Sequence, residues 1–369
     1  MLLEELDFHI PAGLIAQEPM EPRDACRLLV LTAAGMRVHA EFGDLPRYLV
    51  PGDVLVVNDS RVLPARVHAR KSTGGVVELL FLCPAPGWGE EVWEALARPS
   101  RRLRGGMLLT VGDLQLQLRE PLEEGRWLVS SADGGAIIPL LERWGELPLP
   151  PYIHRQPSDP EDYQTVYASA LGSAAAPTAG LHFTPELLGQ VRAMGCEVAA
   201  VTLHVGLDTF RPISEPVVED HAIHREFYAV RPASLRTMDR ARSQGRRLVA
   251  VGTTSVRVLE TLYGGNGKVT SRAREPVSPS AETEGACGTT GLYITPGYNF
   301  AAVDALITNF HLPRTSLLAL VMAFGGVEAI REAYREAVER RYRFFSFGDA
   351  MLIERRRGGD CDLQLEDRT

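Results

Sequence analysis

A chain of 369 residues, with 45% hydrophobic and 23% charged residues, has the composition of a soluble globular protein, and its length suits two domains or one large domain carrying an insertion. Its net charge of -8 argues against coating nucleic acid by bulk charge, although a local basic face on an acidic protein still holds a phosphate backbone. The acidic start MLLEELDFHIPAG and the absence of any apolar run near the ~18 residues of a membrane span read as neither secreted nor membrane-spanning. Five scattered cysteines (Cys26, Cys83, Cys196, Cys287, Cys361) without a C-x-x-C pair indicate no disulfide framework and no thiolate zinc site, and fit a reducing cytoplasm.

In chain order, VLVVN follows the turn Pro51-Gly52-Asp53 as a continuous apolar run suited to a buried strand. VVELLFL, VWEALA, MLLTV, LQLQL and RWLVS follow as short strand-like pieces between Gly, Pro and charged turns. LQLQL alternates strictly, the period of a half-buried strand, and several such pieces in succession predict a small barrel. Ala136 to Leu147 reads as a helix stopped by Pro148, Pro150 and Pro151. Strands and helices then alternate: a helix from Pro185 capped by Thr184, a strand over Glu197 to Val205, a helix over Ser234 to Gly245, a strand RLVAVG, and a helix capped by Thr253 or Thr254. Gly264 to Thr290 is rich in Gly, Ser and charge and reads as a surface loop; RRRGGDCDLQLEDRT reads as a polar tail. The predicted architecture is α/β: a larger discontinuous α/β domain, 1–64 and 134–369, with a small antiparallel β-barrel, 65–133, inserted into it.

Polar residues gather where strands are predicted to end, the place α/β sheets put their ligands. NDSRVLPAR (from Asn58), LHFT (around His182), TLHVGLDTFRP (with His204) and ITNFHLPRTS (with Asn309 and His311) each join polar side chains to Gly or Pro. A single loop of this kind is more often structural than catalytic; four together favour one shared site. His221 and His224, with Glu226 two residues on, would face one another on a helix and would suit a metal-dependent hydrolase, but they lack an H-E-x-x-H frame. ARPSRRLRGG packs Arg98, Arg101, Arg102 and Arg104 into one barrel connection, either a solvated loop or a phosphate-backbone contact. The turn VGTTSVR offers helix N-terminal amides to an anion.

Taken together, DFHIPAGLIAQEPMEPRDACRLLVL, YLVPGDVLVVNDSRVLPAR, ARPSRRLRGG, DYQTVYASALGSAAAPTAGLHFT, VTLHVGLDTFRP, HAIHREFY, VGTTSVRVLE, ITNFHLPR and YRFFSFGDAML resemble, in order and to about Leu352, the S-adenosylmethionine:tRNA ribosyltransferase-isomerase family of queuosine biosynthesis. The resemblance implies an α/β domain with an inserted barrel. It also implies transfer and isomerisation of the ribosyl group of S-adenosylmethionine onto 7-aminomethyl-7-deazaguanine at the tRNA wobble position, releasing adenine and methionine.

S-adenosylmethionine is then a substrate, and no metal or other cofactor is called for. A base that takes a proton from the carbon beside the sulfonium, and a donor for departing adenine, are what such chemistry needs. His182 or His204 is the expected proton-transfer residue. Asn58, Asp59, Arg61, Thr184, Asn309 and His311 are expected to bind substrate, and Arg98, Arg101, Arg102 and Arg104 to bind tRNA. Asp208 stands where the family usually has Gly. A noncatalytic RNA-binding module and the metal-dependent hydrolase are the competing readings.

Overall fold

The computed structural model describes residues 1–85, 87–155, 157, 159–206, 212–223, 225–264 and 285–355. Asp208, His224, most of the predicted surface loop (265–284) and the polar tail (356–369) lie outside the described residues.

The strands are β1 (Arg27–Leu31), β2 (Arg37–Glu41), β3 (Val54–Asn58), β4 (Ser60–Val62), β5 (Arg66–Lys71), β6 (Val76–Pro84), β7 (Val92–Arg98), β8 (Leu108–Val111), β9 (Leu114–Pro121), β10 (Arg126–Ser131), β11 (Ala170–Ser173), β12 (Glu197–Leu203), β13 (Glu226–Val230), β14 (Leu248–Val251), β15 (Ala286–Thr290), β16 (Ala305–Asn309) and β17 (Ala350–Glu354). The helices are α1 (Ile137–Trp144), α2 (Pro185–Ala193), α3 (Pro232–Ser243), α4 (Thr253–Tyr263), α5 (Ser316–Gly325) and α6 (Val327–Glu339). None among the described residues is long and apolar enough to cross a membrane.

Nine strands form one mixed sheet in the order β15-β13-β12-β3-β14-β16-β17-β1-β2. Its centre, β12, β3, β14 and β16, is parallel. Val54 and Val56 of β3 join one hydrophobic cluster, with Leu235, Met238, Val256 and Leu259 of α3 and α4. Leu55 and Val57 join another, with Leu187 and Val191 of α2. Burial on both faces is why VLVV is continuous and does not alternate.

β5 to β10 close an antiparallel barrel in the order β10-β7-β6-β5-β8-β9. Inward residues such as Val67, Ala69, Val77, Leu79, Leu116 and Leu118 fill it, and Ile137, Leu140 and Leu141 of α1 pack with them. Five barrel strands carry apolar runs visible in the sequence. The sixth, β5 with RVHARK, escapes notice because only Val67 and Ala69 face inward between exposed charged and polar side chains.

Three local expectations change: Ala286–Thr290, read as the end of a surface loop, is strand β15, paired antiparallel with β13. β12 stops at Leu203, two residues early, because the neighbouring β3 has ended. The Asn58 side chain takes the place of its next peptide, with Oδ1 accepting from Leu203 N–H at 3.0 Å and Nδ2 donating to Leu203 O at 3.0 Å. α4 begins after Gly252, and Thr253 and Thr254 are its first helical residues and not its cap. Gly252 has φ +88°, a conformation that glycine adopts without strain. Thr184, by contrast, caps α2 as predicted, accepting from Leu187 N–H at 3.1 Å.

A candidate substrate cleft at the strand ends

The carboxyl ends of the parallel strands converge on an open cleft, the place where α/β sheets hold their ligands. Val205 beyond β12, Gly252 beyond β14 and Asn309 at the end of β16 all line it, together with Thr178, Thr253 and His311. Three of the four predicted strand-exit loops, or the segments beside them, therefore meet at one place. At the start of α4, the first intrahelical bond runs from Val256 N–H to Gly252 O, so the amides of Thr253, Thr254 and Ser255 precede the helix ladder and favour an anion.

The predicted site residues divide into two groups. Asn309 and His311 line the cleft. Asn309 is 2% exposed: its Oδ1 accepts from Thr178 Oγ1 at 2.9 Å, and its Nδ2 lies 3.1 Å from both His182 Nε2 and Phe345 O. His311 Nε2 is 2.8 Å from Thr308 Oγ1, and burial pushes its pKa down to about 4. His182 does not line this cleft. It borders a smaller cavity beside Arg23, Cys26 and Phe347, with Nδ1 3.2 Å from Cys26 Sγ. Burial, with lesser contributions from Arg343 and Arg23, lowers its pKa to about 3.

His204, next to the cleft residue Val205, is half-buried and stacks on Phe227 with ring centroids 5.9 Å apart. Its Nδ1 is buried without a hydrogen-bond partner. Burial lowers its pKa, opposed by the charge of Asp59.

The remaining candidates all have protein partners. Asn58 is fully buried, tied to Leu203 and to Thr254 Oγ1 at 3.2 Å. Asp59, 2% exposed, accepts from Thr202 Oγ1 at 2.6 Å, Ser169 Oγ at 3.0 Å and Arg231 Nη2 at 2.9 Å. Arg61 pairs with Glu161. Thr184 is engaged in its cap and lies 3.3 Å from Asp24 Oδ2. Sequence reasoning passed over Thr178 and Ser346 as cleft residues, while VGTTSVR already pointed to the Thr253 amide. The small-residue run before His182 was the one available signal for Thr178.

Arg98, at the end of β7, and Arg101, Arg102 and Arg104, on the β7–β8 connection, are all exposed, far in sequence from the cleft segments. The described residues of HAIHREF are not helical: Glu226 opens β13 and is ion-paired with Arg257, while His221 bonds Glu215 at 2.9 Å. No three His, Cys, Asp or Glu residues among those described are grouped to hold a metal.

The buried histidines carry a pH signature. In the folded protein His182 and His311 refuse a proton that the unfolded chain accepts near pH ~6.5. Folding stability should therefore be full above that pH and fall on acidification towards 4. Urea unfolding at pH 7 and 4.5 measures the drop, which His182→Gln should reduce; an equal drop in the variant would remove His182 from the account.

Comparison with known proteins agrees with this architecture. The family model described as "Queuosine biosynthesis protein" matches residues 3–353. The chain is 51% identical over 358 residues to the S-adenosylmethionine:tRNA ribosyltransferase-isomerase of Moorella thermoacetica, covering 96% of this chain and 100% of that one. It is 52% identical over 355 residues to the protein of the same name from Rubrobacter xylanophilus, covering 96% and 98%. The crystal structure of S-adenosylmethionine tRNA ribosyltransferase from Thermotoga maritima matches with a TM-score of 0.53 at 38% identity, over 95% of this chain and 99% of that one. With a family match across nearly its whole length and relatives at about half identity, this chain belongs to the queuosine biosynthesis protein family.

Proposed function

We propose that this chain is an S-adenosylmethionine:tRNA ribosyltransferase-isomerase. It moves and isomerises the ribosyl group of S-adenosylmethionine onto 7-aminomethyl-7-deazaguanine at the tRNA wobble position, and adenine and methionine leave as epoxyqueuosine forms in the tRNA. The observation that carries this reading is the cleft itself: helix N-terminal amides and uncharged Thr, Asn and His side chains at the ends of parallel strands, in a chain about half identical to enzymes of that name. The lining is mostly apolar, carries no Asp, Glu, Lys or Arg among the described residues, and sets a few Thr, Asn, His and Ser side chains among apolar ones, as small-molecule sites do.

The sulfonium acidifies the adjacent 5′ carbon, so a neutral base can remove a proton there and leave an ylide. Adenine then departs, the aminomethyl group of the RNA base acts as the amine, and methionine is expelled as the epoxide closes. The sulfonium supplies the electron sink and leaving group, so the reaction draws on no metal or redox partner. Of the two expected proton-transfer residues, His204 is assigned as the base because it adjoins the cleft residue Val205 and its Nδ1, enclosed here, has no protein partner to displace. Both nitrogens of His182 are engaged by Cys26 and Asn309. The amides at the start of α4 suit the methionine carboxylate. A tRNA substrate and four described cysteines that are all free suit work in a reducing cytoplasm.

The deciding experiment incubates the protein with S-adenosylmethionine and tRNA carrying the aminomethyl base. Adenine release and a new anticodon nucleoside are expected; tRNA binding with neither product would leave an RNA-binding module instead. The barrel arginines are assigned to the tRNA backbone. Arg101→Ala with Arg102→Ala should weaken tRNA binding roughly tenfold near 0.1 M salt, with a shallower salt dependence, and leave S-adenosylmethionine binding unaltered. Equal weakening of both ligands would contradict the assignment.

A further inference from the structure

Cys26, His182, Asn309 and Thr178 form a continuous chain from the smaller cavity to the cleft, and the direction of every proton in it can be worked out. Asn309 Nδ2 lies 3.1 Å from the carbonyl oxygen of Phe345. Turning the amide over would set two acceptor oxygens against each other, so Nδ2 donates there and its second hydrogen goes to His182 Nε2. His182 Nε2 therefore accepts, the ring proton sits on Nδ1, and it points at Cys26 Sγ. At the other end, Asn309 Oδ1 can only accept, so the hydroxyl of Thr178 must donate to it.

A lone threonine hydroxyl rotates to suit either partner. Here its hydrogen is committed, and only lone pairs remain for the cleft. Water cannot reverse the chain, because Cys26, His182 and Asn309 are 1%, 4% and 2% exposed while Thr178 is half-buried at the cleft wall. A charged His182 would place an N–H against the Asn309 N–H, and burial opposes that charge.

We propose that Thr178, backed by Asn309, is an acceptor-only subsite that takes an N–H donor of the ligand, and that His182 is the positioning residue that keeps it so. The inference rests on the S-adenosylmethionine reading above. That ligand carries two such donors, the 6-amino group of adenine and the α-ammonium of its methionine half. The subsite favours either over a group that can only accept, since a carbonyl at the same place would meet the Thr178 lone pairs and leave both sides unpaired. His182 thus acts through Asn309 and Thr178 and does not touch the reacting atoms.

Calorimetric titration of the full chain tests this with S-adenosylmethionine, its 6-oxo (inosyl) analogue, and its α-keto analogue, in which a carbonyl that can only accept replaces the ammonium. The wild type should bind one analogue at least about tenfold more weakly than S-adenosylmethionine, the worth of one buried hydrogen bond lost; the weaker one identifies the donor. Thr178→Val should remove that preference. His182→Leu should do the same by freeing the Asn309 amide, whereas His182→Gln, whose amide can accept from Asn309 and donate towards Cys26, should recover most of it. In turnover the loss in His182→Leu should fall on KM more than on kcat. The inference fails if the wild type binds both analogues as tightly as S-adenosylmethionine, if Thr178→Val keeps the preference, or if His182→Gln is as inactive in adenine release as His182→Leu. If the wild type binds no S-adenosylmethionine, the substrate reading falls and the inference with it; a failure confined to the variants leaves that reading standing.

Discussion

His204→Ala is expected to lower single-turnover adenine release by about 10²–10⁴-fold, the usual contribution of a positioned base, while S-adenosylmethionine still binds. The ring is set for that role by its neighbours. Stacking on Phe227 fixes its plane, and Gly172, at φ +136°, leaves room that a side chain would take: a Cβ there would come within 2.9 Å of His204 Nε2. With its pKa lowered by burial, the ring is neutral at pH 7 and available to accept a proton. Because the base form is the active one, the rate should hold between pH 8 and ~6.5, the ordinary histidine range, and fall only in more acidic solution. A variant that retains the rate within about threefold, well short of the loss expected for a general base, would show that another group removes the proton.

Arg257→Leu should destabilise the fold by about 3–5 kcal/mol, the cost of leaving a buried charge without its partner. The side chains of Arg257 and Glu226 are 7% and 8% exposed. Arg257 also donates to Leu292 O at 3.1 Å, and Glu226 accepts from Gly206 N–H at 2.9 Å. The pair therefore ties α4 to β13 and to the segment just beyond His204 and Val205. Replacing both partners, with Glu226→Leu added to Arg257→Leu, should recover part of the loss, because no charge is then stranded. Urea unfolding of the two variants makes the comparison. A single-variant loss under about 1 kcal/mol, the range of an exposed pair, would mean that the interaction is no stronger than a surface one.

Much of the architecture was legible because it depends on local period. LQLQL alternates because β9 has one face in the barrel core. VLVVN is continuous because both faces of β3 are covered. Thr184-Pro185-Glu186 announces a helix start through the chemistry of its own backbone. β5 was hidden because two inward small residues between charged ones make too weak a pattern. The cap of α4 was misread because Thr253 and Thr254 carry the residue type of a cap while Gly252 has the conformation of one.

The candidate site was legible only as a gathering of polar strand ends. His182 and His204 sit in similar settings in the sequence, each between apolar residues near a strand end. One has both ring nitrogens bound and faces away from the larger cleft; the other keeps a nitrogen without a partner. Asn58 and Asp59 belong to the same loop as Arg61, yet their polar atoms hold β12 and Arg231. By itself, then, the sequence determined the strand and helix patterns, the inserted barrel and the family, because periodicity and backbone chemistry act over a few residues. The tertiary structure decided which polar atoms are engaged and which face the cleft. Those partners come from segments as far apart as Cys26, His182 and Asn309, and the order of the central strands is what brings them together.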